Sequence, residues 1–234
     1  MIVLDVEQGS EAWANARLCI PTASNFGMVI SPKKLNYSAS AAKYRARLLA
    51  QWVCGYPLEG FTPTGAMLRG TDLEAEARAW FEMQRDAEVV PVGFVMRDDG
   101  SSGGSPDGLV GEDGGVEIKV PLMTTHLEYL LADELPAEHI AQVQGYMYLT
   151  GRQWWDFVSY APGLPCVLKR IDRDDKFIVM LHRHLCTFRE ELLAGKRALV
   201  AKGFVPRPGT EPPEDVSIAN EEVVEAMYGA GAAS

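Results

Sequence analysis

Apolar positions along the chain fall into helical stripes at its two ends and into short alternating runs in its middle. Ser40 to Cys54 places Tyr44, Leu48, Leu49, Trp52 and Val53 on one face. Residues 64–85 repeat the pattern with Leu68, Leu73, Ala77, Trp80 and Phe81, interrupted at Gly70. A long stripe of Phe177, Met180, Leu181, Leu185, Phe188 and Leu192 predicts a helix from about Asp174 to Ala201. Shorter helices are expected after Ser10, around Pro21 to Phe26, over Leu122–Leu131 and over His139–Leu149. Val89–Met96, Trp154–Tyr160 and Cys166–Asp172 read as strands. No internal repeat is evident.

Between these elements stands Gly104-Ser105-Pro106-Asp107-Gly108, followed by the run Gly115-Val116-Glu117-Ile118-Lys119-Val120-Pro121. Asp107 occupies a turn punctuated by Pro and Gly. In a strand, Val116, Ile118 and Val120 share one face and Glu117 and Lys119 the other. Two converging carboxylates suit a hard divalent cation such as Mg²⁺, which takes oxygen ligands and retains waters. A neighbouring lysine can orient water and offset charge developing on a phosphate. The plainer reading is an exposed hairpin carrying a surface ion pair worth ~0–1 kcal/mol.

The 234 residues, 47% hydrophobic and 23% charged, fit a soluble globular domain. No apolar run reaches membrane-spanning length and no secretory leader is evident, so a cytoplasmic location is expected. Cys19, Cys54, Cys166 and Cys186 are scattered without metal-ligand spacing.

The net charge of −10 argues against a nucleic-acid partner until its distribution is considered. Between Glu11 and Glu59 there is no acid, while Arg17, Lys33, Lys34, Lys43, Arg45 and Arg47 supply six positive charges. Beyond Arg207 there is no base and there are six acids. Such segregation predicts a phosphate-facing basic surface and a separate acidic appendage. Residues 204–215, with four prolines, read as a linker to that tail, and Val216 to Met227 as a terminal helix. Arg17 with Thr22 and Ser24 at the next helix start forms an anion site, the alternative being a helix cap beside a solvated charge. Gly65 to Leu68, including Met67, is either core or an apolar wedge against base pairs.

Taken together, these segments resemble the phage lambda-type (YqaJ-like) alkaline exonucleases of the PD-(D/E)xK nuclease superfamily. The likeness runs in order through EQGSEAW and Arg17, then TAS, RG…LE…AR…F, SPDG, EIK-x-P and AQVQGYMY with the paired aromatics after it, over about residues 5–203. It implies a restriction-endonuclease-like α/β core, a central mixed sheet flanked by helices, with residues 1–203 as the nuclease domain and 204–234 as an appendage. By the same resemblance, Glu74, Asp107, Glu117, Lys119 and Gln142 are catalytic, and Asp107, Glu117 and the Ile118 carbonyl hold metal. Two Mg²⁺ ions are implied, with Mn²⁺ able to substitute.

Arg17, Thr22, Ser24 and Ser105 are assigned to the 5′ phosphate, with Lys33, Lys34, Lys43, Arg45, Arg47, Met67 and His139 along the DNA. His139 stands where a tyrosine-like residue is expected. The implied activity is degradation of one strand of linear duplex DNA from a 5′ end. The implied assembly is a ring-shaped homotrimer, encoded by phage or prophage and working with a single-strand-annealing recombinase. An endonuclease of the same superfamily and a non-catalytic DNA-binding module are the competing classes. The first would nick closed circles, and the second would have no reason to keep desolvated carboxylates together.

Overall fold

The computed structural model describes the backbone of residues 1–58 and 65–205 and the side chains of 1–58 and 73–205. Its elements are β1 (Ile2–Leu4), α1 (Glu11–Ala16), a 3-10 helix (Ala23–Met28), α2 (Ala41–Cys54), α3 (Gly65–Arg85), β2 (Val89–Val90), β3 (Phe94–Met96), β4 (Gly103–Gly104), β5 (Gly108–Val110), β6 (Gly114–Lys119), α4 (Met123–Ala132), α5 (Ala137–Thr150), β7 (Trp154–Ser159), β8 (Val167–Asp172) and α6 (Asp175–Ala201). A five-stranded sheet runs β2-β5-β6-β7-β8, parallel only between β6 and β7, and a small sheet runs β1-β3-β4. This is the mixed sheet flanked by helices that the family resemblance implies. None of the described helices is long and apolar enough to cross a membrane.

The alternation along β6 divides the core in two. Val116 and Ile118 join Val110 and Val158 under Ala77 and Phe81 of α3. On the other side α5 and α6 cover the sheet through Val143, Met147, Leu181, Leu185 and Phe188, packed with Trp155. The α6 stripe is buried as expected, and its start is capped by Asp174, whose carboxylate accepts from Phe177 N at 2.9 Å. Ser10 caps α1 in the same way, accepting from Trp13 N.

One expected strand divides. Val89–Met96 becomes β2 in the large sheet and β3 in the small one. Pro91 and Gly93 separate them, and a Cβ on Gly93 would sit 2.0 Å from the Val6 carbonyl oxygen. The chain crosses from one sheet to the other at that close approach. A second close approach is Gly145 on α5, where a Cβ would meet the Phe26 ring at 2.5 Å. Without a side chain there, the 3-10 helix lies against α5.

Candidate active site

Asp107 enters β5, and the pairing of Gly108 with Val116 sets it beside Glu117 of β6. Its Oδ2 accepts from Ile118 N at 2.6 Å. Burial first, then the charge of Glu117, pushes the Asp107 carboxyl well above its ordinary value, with Lys119 pulling the other way. Glu117 is 1% exposed. Its Oε1 accepts from Gln142 Nε2 at 2.6 Å and pairs with Lys119 Nζ. Its Oε2 is buried without a hydrogen-bond partner. Burial works against the charge of Lys119, but Glu117 and Asp107 together hold the ammonium above its usual range. Lys119 is therefore a cation here, suited to orienting and compensating rather than to taking a proton.

An orphaned anionic oxygen in a dry site, beside a second carboxyl held up by that charge, is a donor set that a divalent cation would relieve. Among the described residues no three His, Cys, Asp or Glu side chains converge as ligands. Two carboxylates and a backbone carbonyl fit Mg²⁺, which keeps several waters, better than a metal requiring an all-protein cage.

Glu74, from α3, pairs with Arg78 one turn on at 3.0 Å, and its charge reaches both Asp107 and Lys119. The Met67 side chain lies outside the described residues, as does the tail from residue 206.

Gln142 is one turn from Tyr146 on α5. Its Nε2 also donates to the Tyr146 hydroxyl at 3.0 Å, and that hydroxyl donates to the Ser105 carbonyl at 3.0 Å. Ser105 connects two clusters, because its Oγ accepts from Trp13 Nε1 at 2.7 Å and from Arg17 Nη1 at 3.4 Å. Arg17 lies over the Trp13 ring, 4.1 Å from its centroid. Thr22 caps nothing with its side chain. Its hydroxyl instead lies 3.4 Å from Ser24 Oγ and accepts from Asn25 Nδ2 at 3.1 Å. Arg47 donates to Asn25 Oδ1 at 2.5 Å and stacks over Tyr44, whose hydroxyl accepts from Thr22 N. Arg17 and Ser105 are thus joined through Tyr146 and Gln142 to Glu117, while Thr22, Ser24, Asn25 and Arg47 form a second polar group around Tyr44.

Of the residues expected to form a phosphate-facing basic surface, Arg45 and Arg47 are engaged within the fold. Lys33, Lys34 and Lys43 are exposed. Arg45 instead pairs with Glu191 of α6, which also accepts from the Tyr37 hydroxyl at 2.7 Å. The acid that compensates Arg45 is 146 residues away in sequence, so local charge counting missed it. His139 faces inward, stacked on Phe157 with centroids 5.1 Å apart. Tyr146, Trp13 and Asn25 hydrogen-bond to these candidate residues, and sequence reasoning gave them no role. For Tyr146 the i, i+4 spacing from Gln142 was the available signal.

The family model for the YqaJ-like viral recombinase domain matches residues 12–153. The crystal structure of an alkaline exonuclease (LHK-Exo) from Laribacter hongkongensis is 37% identical with a TM-score of 0.74, covering 83% of this chain and 98% of that one. LHK-Exo in complex with dAMP gives 37% and 0.75 over the same shares. A phage-related exonuclease from Haemophilus somnus shares the fold at 15% identity, TM-score 0.60, over 79% of this chain and 96% of that one. No curated protein matches the chain.

Proposed function

Because the chain belongs to the YqaJ-like viral recombinase domain family and is an exonuclease of the alkaline exonuclease type, we propose that it degrades one strand of linear duplex DNA. In this reading it works in the 5′-to-3′ direction from a 5′-phosphorylated end, depends on Mg²⁺, and leaves a 3′ single strand for annealing recombination. The observation that carries it is the unpartnered, buried Oε2 of Glu117, a residue whose other oxygen is linked through Gln142, Tyr146 and Ser105 to Arg17. LHK-Exo with dAMP adds support, since a mononucleotide is the product class expected of an exonuclease.

In this reading Asp107, Glu117 and the Ile118 carbonyl hold one or two Mg²⁺ ions, with Mn²⁺ able to substitute. Bound there, the cation supplies positive charge to the phosphoryl oxygens in the transition state and makes water more acidic. Lys119 directs its ammonium at the attacking water and at the phosphate, while Glu74 helps to orient that water. Gln142 holds Glu117 Oε1, so that the other oxygen faces the site. Arg17, with the Ser105, Thr22 and Ser24 hydroxyls, binds the terminal phosphate, and Lys33, Lys34 and Lys43 follow the duplex backbone. A homotrimeric ring and an annealing recombinase complete the proposal, in a bacterial cytoplasm carrying a phage or prophage.

The test is end-labelled linear duplex with Mg²⁺, comparing 5′-phosphate, 5′-hydroxyl and covalently closed ends. Mononucleotide release from the 5′-phosphate strand is expected, with closed ends resistant. Nicking of a closed circle would instead establish an endonuclease.

A further inference from the structure

In the second polar group one side chain, Asn25 of the 3-10 helix, meets both hydroxyls and the arginine. Its Nδ2 donates to Thr22 Oγ1 at 3.1 Å and to Ser24 Oγ at 3.4 Å. Its Oδ1 accepts from Arg47 Nη2 of α2 at 2.5 Å. The two hydroxyls lie 3.4 Å apart, and Thr22 is buried while Ser24 is exposed, so the pair reaches the surface at Ser24. Tyr44 holds the backbone there, its hydroxyl accepting from Thr22 N at 3.0 Å and its ring lying under Arg47.

We propose that Asn25 is a positioning residue: it sets the Thr22 and Ser24 hydroxyls as hydrogen donors toward a strand-end phosphate, with Arg47 fixing the direction of its amide. The inference rests on the nuclease reading above and concerns how its 5′-phosphate hydroxyls are oriented. A guanidinium carries five donors and no acceptor, so the end of the Asn25 amide that meets Arg47 is its oxygen. The NH₂ end therefore faces the hydroxyls, and both of its hydrogens have acceptors there. A hydroxyl that accepts from an amide still has its own hydrogen to give. Thr22 and Ser24 can satisfy only one of their two hydrogens on each other, and among the described residues neither hydroxyl meets a further acceptor. The remaining hydrogen suits an anion, because a phosphate oxygen accepts and a charge-assisted bond is about twice as strong as a neutral one. An aspartate at position 25 would reverse the arrangement. Its carboxylate would accept from Arg47 and from both hydroxyls, turn their hydrogens inward and add a charge that repels phosphate.

The experiment measures, for the full-length protein with Mg²⁺, the rate on a linear duplex with 5′-phosphate ends divided by the rate on the same duplex with 5′-hydroxyl ends. The ratio cancels any loss of folded protein, which a merely structural role would produce. Asn25→Asp keeps the shape of the side chain and should lower the ratio about 10–100-fold, the range of a hydrogen bond to a charged group. Asn25→Ala removes the amide without reversing it and should lower the ratio about 3–10-fold. With Thr22→Val and Ser24→Ala already in place, the Ala change should add nothing, since the hydroxyls through which Asn25 acts are gone. That cycle decides the matter if the Asp variant does not fold. A wild-type ratio in Asn25→Asp, or an equal loss from Asn25→Ala with and without the two hydroxyls, overturns the inference and leaves the nuclease reading intact. A wild-type protein that does not distinguish the two ends overturns the 5′-phosphate reading and the inference with it.

Discussion

Two carboxylates lie buried on neighbouring strands of the sheet, Asp156 of β7 and Glu117 of β6, and they are treated in opposite ways. Asp156 is fully buried and saturated. Arg85 donates to it through Nε at 2.8 Å and Nη2 at 3.1 Å, and Arg170 through Nε at 3.0 Å and Nη2 at 2.9 Å. Arg170 in turn lies over the Trp154 ring. Glu117 is nearly as dry, yet one of its oxygens has no partner. A saturated buried charge ties α3 and β8 to β7, whereas an incomplete one costs stability and leaves an oxygen able to take a ligand. Equal burial therefore says little about role, and the count of satisfied oxygens says much.

The largest expected effect follows directly. Lys119→Ala should lower cleavage by about 10³-fold while leaving duplex binding in place, because the lysine acts on water and on developing charge. Glu117→Gln should abolish Mg²⁺ binding and cleavage, and it should also lower folding stability, since it takes from the Lys119 ammonium its paired carboxylate. Near-wild-type turnover in either variant would dissolve the contrast from the functional side.

Asp156→Ala probes the other side of the contrast. It strands Arg85 and Arg170 and should destabilise the fold by about 3–5 kcal/mol, lowering Tm by roughly 10 °C. The protein that remains folded should still cleave at close to the wild-type rate. A loss of activity at full stability would mean that Asp156 belongs to the site.

The contrast also explains what was legible in the sequence. Period-two alternation alone placed Glu117 and Lys119 on one face of β6, and the helical stripes of α2 and α6 were read almost residue for residue. Those are local patterns. The Asp156 clamp joins residues 71 and 14 positions away, and the Arg45–Glu191 pair spans 146, so no local rule reports either. The division of Val89–Met96 between two sheets depends on the approach of Gly93 to Val6, which is likewise tertiary. Ser105 was carried by family resemblance, and only the fold shows why it matters, since its carbonyl and its hydroxyl serve two different clusters.

Arg17 extends the comparison to a cation. It is buried enough that its pKa is lowered by desolvation, yet among the described residues its side chain meets a ring face and one serine hydroxyl at 3.4 Å. A terminal phosphate carries more charge than an internal diester and offers oxygens matched to the guanidinium fork. Arg17→Ala should reduce the preference for 5′-phosphate over 5′-hydroxyl ends by about 10–100-fold, in line with hydrogen bonds to charged groups. Lys should rescue poorly. An unchanged ratio of rates on the two ends would make the pocket a structural contact around Trp13.

The smallest effects separate the remaining basic residues by the same criterion. Arg45 is already paired with Glu191, and Tyr37 donates to the same carboxylate, so its charge is spent within the fold. Lys33, Lys34 and Lys43 are exposed. If these three follow the duplex, each contact adds about −0.9 to the slope of log affinity against log salt. Replacing all three with Ala should flatten the slope by up to about 2.7. Arg45→Ala should leave the slope where it is and lower Tm instead, because it uncouples α2 from α6. Equal slopes for the wild type and the triple lysine variant would place the duplex on another face. A flattened slope in Arg45→Ala would show that the ion pair opens to DNA, and that satisfaction within the folded chain does not by itself exclude a charge from binding.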